Sequence, residues 1–528
     1  MAKPWQWRTG GGAAAGLALL LAAPVALAAQ QTAPAQATPQ AATLPLSGRA
    51  PQAGSVTATQ NSQPGAGVNT LSPVVQASGA FSGGLPAAAA PFNGRLSLAD
   101  AIARGLGYNL GSAQWNNTVR QSEGESRSAR AALLPNLNGS ASETSEQLDL
   151  KASGIRVSFP QTGLLAGFSF PTVVGPFSFM QLQATLSQTL FNLTTLNNYR
   201  STQATVKANQ MLLRDARDQV VLAVGGAYLG VIAAQARLAS ARAQLDTANA
   251  ILDQSQQKQS VGSVARLTVD QNQVQASIQQ LQLTSLTNDV AKQKINLARM
   301  IGLPPTDQYS ISDDVPFAAP PALSEQDALR EALEQRADLK AADAQAEAAH
   351  AVVTAAKDEK LPSAGVNANY GVIGSTVWNQ SHGVYTVVGT LNIPLWQGGR
   401  AAGDLEQADA ALAQRQAEQA DTRSQIEAQI REAYLDLDAA ASQVTVARNN
   451  LQVAHEALQM TRDRFDAGVT NTVELIQAQQ QVATAEQDYI NSVYAHNVAK
   501  LTLARALGNA PADWARFLPS TPASAPSH

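Results

Sequence analysis

The sequence predicts a mainly α-helical, internally duplicated protein, in which each copy joins a long antiparallel coiled-coil hairpin to a pair of short membrane-type β-strands. Three observations lead there. The chain matches itself without a gap over 76 residues, its longest helical stretches carry a heptad-like apolar seam, and its short segments alternate apolar and polar residues with period two.

The duplication sets residues 227–302 on 433–508 at a constant offset of 206. Ala227-Tyr228-Leu229 falls on Ala433-Tyr434-Leu435, Gly262 on Gly468, Leu297-Ala298-Arg299 on Leu503-Ala504-Arg505, and Gly302 on Gly508. Upstream the offset is 227, with Asp100-Ala101 on Asp327-Ala328 and Leu134-Pro135 on Leu361-Pro362. The difference, 227 − 206 = 21, places an insertion in the first copy between Thr144 and Phe177. Repeat 1 is therefore drawn over 95–307 and repeat 2 over 322–509.

Both copies predict the same elements. A helix (98–131, then 325–358) stops near a Pro that cannot continue it, and two alternating segments follow. Next come a long helix (196–258, then 401–464), a Gly turn, and a returning helix (266–301, then 472–507). Leu238, Ala241, Leu245, Ala248 and Leu252 form a 3,4-spaced seam, matched by Val444, Ala447, Leu451, Ala454 and Leu458. That spacing suits a left-handed coiled coil, and an ordinary helical core shares it. At 1.5 Å per residue the long helices span roughly 95 Å, enough to lie against the two shorter helices joined end to end.

The alternating segments are clearest in repeat 2, where Ala364, Val366, Ala368, Tyr370 and Val372 interleave with Ser363, Gly365, Asn367, Asn369 and Gly371. Their partner sets Val387, Gly389, Leu391, Ile393 and Leu395 against Thr386, Val388, Thr390, Asn392 and Pro394. In repeat 1, Met180, Leu182, Ala184 and Leu186 alternate with Gln181, Gln183, Thr185 and Ser187, while 136–144 places Glu143 on its apolar register. A barrel strand between lipid and water has this pattern, and so does a soluble sheet with one wet face. Four strands are too few to close a barrel, and lipid tolerates no open edge. Strands in a membrane would therefore require oligomerisation, and three chains supply 3 × 4 = 12. The inserted stretch Gly154–Pro176 would then be a long outward loop.

The ends of the chain read differently. Lys3 and Arg8, the apolar Leu17, Leu19, Leu20 and Leu21, and the small-residue site Ala26-Leu27-Ala28 predict a signal peptide over 1–28. Residues 29–94, with eight prolines and Arg49 as the sole charge before Arg95, are expected to be a disordered periplasmic segment, and 510–528 a disordered tail. No later stretch reaches 18 consecutive apolar residues, so any membrane crossing is expected to use strands.

Composition narrows the function. With 5% aromatic and 14% charged residues, several compact aromatic cores are not expected, and a net charge of −4 gives no footprint for nucleic acid. The absence of cysteine removes disulfides, thiolate metal sites and lipid attachment through cysteine. His350, His382, His455, His496 and His528 show no metal-ligand spacing, and no phosphate-binding loop follows a strand. No enzyme activity, cofactor or metal is expected.

On these elements the chain resembles the TolC-like outer membrane efflux proteins. The likeness runs from about residue 95 to 509. It rests on the duplicated element order and the turns Val261-Gly262-Ser263-Val264-Ala265 and Arg464-Phe465-Asp466-Ala467-Gly468-Val469 with Glu474-Leu475-Ile476. Leu395-Trp396-Gln397-Gly398-Gly399-Arg400 between strand and helix adds to it. The resemblance implies a homotrimer with a 12-stranded barrel in outer-membrane lipid and an α-helical tunnel in the periplasm. It also implies docking to a periplasmic membrane-fusion adaptor and an inner-membrane pump of RND or ABC type. The chain would be a passive exit duct for efflux or type I secretion. The alternative is a soluble periplasmic coiled-coil scaffold or adhesin stalk.

Residue by residue, the resemblance implies that Gly262, Val264, Ala265, Gly468 and Val469 form the tip turns and adaptor-docking surface. Glu474 matches a position where the family can place an acidic ring in the pore entrance, and the next acidic position is Gln477 here. Phe465 and Thr470 stand where some members carry a Tyr and an Arg that lock the entrance. Thr268 stands where the opposing tip can carry an Asp, with Asp270 close by. A more apolar closure is expected.

Overall fold

A computed structural model describes residues 54–63, 70–86, 94–152, 154, 171–306, 308–319, 322–375, 381–467, 469–518 and 521–522. The expected signal peptide, most of the inserted loop and Gly468 lie outside the described residues. The chain divides into two compact units. The described part of one comes from segments 138–184 and 369–386; the other holds 49–137, 185–368 and 387–528.

The duplication is visible element by element. Repeat 1 runs α1 (Leu98–Tyr108), α2 (Leu110–Ala131), β4 (Asn136–Asp149), β5 (Val173–Phe191), α3 (Leu193–Ser260) and α4 (Arg266–Met300). Repeat 2 runs α5 (Glu325–Gln335), α6 (Ala337–Asp358), β8 (Ser363–Gly374), β9 (Ser381–Asn392), α7 (Arg400–Asp466) and α8 (Thr472–Leu507). Before them stand β1 (Val56–Gln63), β2 (Thr70–Ala77) and β3 (Arg95–Leu96). Between the repeats lie β6 (Ser310–Ile311) and β7 (Asp313–Asp314), and α9 (Ala510–Phe517) and β10 (Thr521–Pro522) close the chain. β3 runs parallel to β6, and β10 antiparallel to β7.

The long helices start and stop where the sequence predicts, because local chemistry marks their ends. Asn192 accepts the Thr195 amide at 3.0 Å to open α3, and Asn471 does the same for Glu474 to open α8. The predicted seam is buried along α3, from Leu238 to Leu252; along α7, Val444, Ala447 and Leu458 are buried while Leu451 and Ala454 are half-buried. The first helix of each repeat, however, is broken. At Asn109 and at Arg336, 227 residues later, the backbone leaves the helix for one residue (ψ 135° and 128°). Asn109 caps α2 through Gly111 and donates to the carbonyls of Phe81 and Met300. Arg336 grips Asp338 with two nitrogens, at 3.0 and 2.6 Å, and reaches Gln429 at 2.7 Å.

Two segments expected to be disordered are partly ordered. β1 and β2 form an antiparallel hairpin that packs on the central stretch of α3, where Val56, Ala58, Val75 and Ala77 alternate onto the core and Phe81 is buried. Gly226 makes this approach possible, since a Cβ there would lie 2.6 Å from Val75 Cγ2. At the other end α9 docks: Phe517 and Leu518 are buried, and the Ala510 amide donates to Asp218 at 2.9 Å. Low complexity hid both, because the apolar surface that orders them belongs to α3.

α3 is the one helix among the described residues that is long and apolar enough by mean hydropathy to cross a membrane, although it holds no run of 18 apolar residues. One 18-residue window reaches a mean hydropathy of 1.6, but 67% of it is buried inside the protein, under the hairpin, α1 and α8. It is a core helix.

The four longer strands form one sheet in the order β4-β5-β8-β9. β4 continues through Glu143 to Asp149, and β5 begins at Val173, inside the stretch expected to be loop. Leu182, Leu186 and Leu190 on β5 and Tyr385, Val387 and Leu391 on β9 stand exposed, each set on one face. Beyond the end of β9, Ile393, Leu395 and Trp396 are exposed as well, the last two at 93% and 89%. These large apolar side chains are left open to solvent in the single chain.

Candidate functional site

The ends of the two hairpins, both in the larger unit, hold the residues singled out in the sequence. In the first turn, α3 ends in a Schellman-type closure: the Ser263 amide bonds the Lys258 carbonyl at 2.8 Å and Gly262 adopts φ +77°. The second turn repeats the wide bond at matched positions, Val469 amide to Arg464 carbonyl at 2.9 Å. Val261 and Val469 project into solvent, while Val264 is half-buried.

The openings of α4 and α8 differ. Ala265, the residue before α4, has no side-chain cap, and the nearby Arg266 and Asp270 form an exposed pair at 3.9 Å. Before α8, Asn471 caps the Glu474 amide and the Thr470 hydroxyl donates to the Glu474 carboxylate. Glu474 is thus held in the first helical turn, where the helix dipole also favours a negative charge. Gln477, one turn on, is exposed, and Thr268 is half-buried.

Phe465 is drawn into a contact that sequence reasoning missed. It packs with Leu458, Leu475, Ala478 and Val482, and Lys258 of the first hairpin lies over its ring at 5.1 Å. Lys258 also approaches Asp466 at 3.9 Å, and Gln254 donates to Asp466 at 3.3 Å. The two hairpin ends are therefore clasped by Lys258 and Gln254 on one side and Phe465 and Asp466 on the other. One signal for this lay in the sequence. Asp466 ends α7, where the dipole disfavours an acid, so a compensating cation was to be sought. Further from the turn, Glu486 of α8 accepts from Ser240 and Gln244 of α3 and faces His455 of α7 at 3.8 Å, and Arg237 donates to Asn491 at 2.6 Å.

The strongest electrostatic perturbations lie elsewhere. Burial, then Asp215, pushes Asp218 up to about 7; burial also raises Asp215, against the pull of Arg505. Burial and the neighbouring Lys500 push His496 down to about 4, and burial lowers Lys500 to about 8. Lys500 donates to the Ala318 carbonyl and Asn497 to that of Val315, so these groups fasten the segment between the repeats to α8. Among the described residues, no group of three or more His, Asp or Glu is placed to hold a metal.

Comparison with known proteins adds the remaining evidence. The family model described as outer membrane efflux protein matches residues 109–303 and 328–509, one span in each repeat. The toluene efflux pump outer membrane protein TtgF of Pseudomonas putida is 24% identical over 425 residues, covering 78% of this chain and 83% of that protein. The alkaline protease secretion protein AprF of Pseudomonas aeruginosa is 23% identical over 412 residues, covering 75% and 82%. Among solved structures, the Campylobacter jejuni CmeC outer membrane channel superposes with a TM-score of 0.67 at 17% identity, covering 78% of this chain and 86% of that one. VceC of Vibrio cholerae gives 0.64 at 19%, covering 78% and 96%. The likeness to these structures is one of fold.

Proposed function

Because this chain belongs to the outer membrane efflux protein family, we propose that it is the outer-membrane exit duct of a tripartite efflux or type I secretion assembly. It lies in the outer membrane with a large periplasmic portion and works with a periplasmic adaptor and an inner-membrane pump. It is a passive, non-enzymatic conduit whose energy comes from the pump. The observation that carries the reading is the match of the family across both repeats, each with its strands and its long hairpin. A soluble scaffold or stalk is disfavoured by the same match.

The finer reading is a trimer. A four-stranded sheet ends at β4 and β9, and its exposed apolar stripes need a lipid neighbour. Three chains joined β9 to β4 supply twelve strands. At the other end, the turns around Gly262, Val264, Ala265, Gly468 and Val469 serve as the adaptor-docking surface, with exposed Val261 and Val469 as its apolar contacts. Glu474 and Gln477, both exposed and one turn apart, face the entrance. Three copies of Glu474 around an axis would favour cations.

The test is extraction and labelling. The chain should fractionate with outer membranes and run as a heat-modifiable oligomer of three. With Cys at position 366 or 367 in turn, a membrane-impermeant thiol reagent entering the pore should modify only Asn367→Cys. Recovery as a soluble periplasmic monomer, or equal labelling of Val366→Cys, would refute the reading.

A further inference from the structure

A cavity of about 500 Å³ opens in the larger unit between β2, α3, α4 and α8, and nothing in the conduit reading uses it. One wall is the face of α3 that carries Gly226, Ala227, Gly230, Ala233 and Arg237; Gln293, Asn296 and Arg299 come from α4, and Tyr494 from α8. Its volume falls within the range of small-molecule sites, about 300–1,000 Å³.

The charge of the lining is one-sided. Two arginines, Arg237 and Arg299, are in the lining, and no Asp or Glu is among the described residues that line it. Arg299 makes no ion pair among the described residues. Arg237 hydrogen bonds to the neutral Asn491, and the acid whose charge acts on it is Asp289, outside the lining. Gln293 and Asn296 have no hydrogen-bond partners among the described residues, so their donors are free to serve an occupant, and the Tyr494 hydroxyl interacts electrostatically with Arg237 beside them.

Gly230 supplies an independent observation. Gly225 and Gly226 admit Leu501 and Val75, because a Cβ at either would lie 2.5–2.6 Å from those side chains. At Gly230 the nearest atoms to such a Cβ are the Tyr494 hydroxyl at 3.8 Å and Gln293 Oε1 at 3.9 Å, both ordinary contacts. Packing does not require glycine there, although glycine in mid-helix costs about 1 kcal/mol against alanine. Its effect is to leave the cavity open.

We propose that this cavity binds a small organic anion through its carboxylate, of amino-acid to dipeptide size, held by Arg237 and Arg299 and oriented by Gln293, Asn296 and Tyr494. Guanidinium forks match a carboxylate in two-point geometry. The apolar wall of Ala227, Ala233, Val75 and Met300 fits a carbon body, which inorganic phosphate lacks. Because Val75, Gln76 and Ala77 of the N-terminal hairpin form part of the lining, an occupant would also hold that hairpin against α3.

The test uses the full-length protein purified in detergent, with the dipeptide Glu-Glu as probe and, as comparison arms, inorganic phosphate and Gln-Gln in its C-terminally amidated form, which carries no carboxylate. Titration calorimetry and thermal unfolding are the readouts. Glu-Glu should bind saturably and raise the unfolding temperature, whereas Gln-Gln and phosphate should not. Arg299→Ala, an exposed change that leaves helicity intact, should weaken Glu-Glu binding about tenfold or more. Gly230→Leu should abolish binding by filling the space, and it decides the matter if Arg299→Ala perturbs the fold. The proposal is overturned if Glu-Glu does not bind, if Gln-Gln or phosphate binds as well as Glu-Glu, or if binding survives in Gly230→Leu.

Discussion

Replacing Lys258 by Met should loosen the joined hairpin ends and raise the channel's open probability. Methionine keeps a similar length and an unbranched apolar stem, so the change removes chiefly the charge. Two interactions are lost: the ion pair to Asp466 at 3.9 Å and the cation–π contact at 5.1 Å. The pair is long and the Asp466 side chain is 62% exposed, so it contributes at the low end of the range for surface pairs, about 0.2–0.5 kcal/mol. The cation–π contact adds about 0.5–1 kcal/mol at an exposed site. The sum is about 1 kcal/mol per chain. In a trimer that opens as a unit it reaches about 3 kcal/mol, roughly a hundredfold change in the closed-to-open ratio. Single-channel recording in planar bilayers reads this directly. Wild type and variant should differ most in about 0.1 M salt and converge near 1 M, where the Debye length shrinks to about 3 Å. Equal open probability at low salt, or a difference that salt leaves untouched, would refute the clasp.

Two further predictions concern the larger unit's core. The folded-state pKa of Asp218, about 7, lies above its ordinary 3.8, so its contribution to stability is fully present below 3.8 and is lost as pH rises through 7. Asp218→Asn keeps an acceptor for the Ala510 amide, so its advantage over wild type in calorimetric unfolding should grow from pH 4 to pH 8, to at most about 4 kcal/mol. Gly226→Val should expel Val75 and cost about 1–3 kcal/mol, with faster proteolysis within residues 54–86, whereas Gly230→Ala, which has room for its methyl, should unfold no earlier than wild type.

What the sequence disclosed follows from how far each cause acts along the chain. The long helices end within about three residues of their expected bounds because caps and turns are local: the bonds at Asn192, Gly262 and Asn471 span three to five residues. The strands were legible for the same reason, since a period of two needs no distant partner. The break at Asn109 had a local sign, a capping residue before Leu110-Gly111. The break at Arg336 had none, because its fork is completed by Gln429 on another helix. The N-terminal hairpin was hidden in the same way. Its own residues look like a tether, and the apolar groove that orders it is built from Gly226 and its neighbours some 150 residues later. The clasp at Lys258 needed contact between repeats, and the offset of 206 sets Lys258 beside Arg464 rather than Asp466.

That same offset shows that the two hairpin ends share a backbone and differ in chemistry. The turn bond from Ser263 to Lys258 maps onto that from Val469 to Arg464, so the turn itself is duplicated. The side chains around it are not. Val264, Ala265 and Thr268 of the first hairpin correspond to Thr470, Asn471 and Glu474 of the second, and Gln259 and Ser260 to Phe465 and Asp466. Every hydrogen bond that fixes Glu474 therefore comes from a substitution that the first copy lacks. A turn that needed only to reverse the chain would have no use for these groups, since the first copy reverses it without them. The polar second end is suited to holding a carboxylate in place and to meeting Lys258. The first end, with Val264 and Ala265 around an uncapped helix start, is suited to apolar contact with another protein. Within one duplicated frame the two ends thus differ in side-chain chemistry, and on the proposed reading both turns dock the adaptor while only the second also fixes a carboxylate at the entrance.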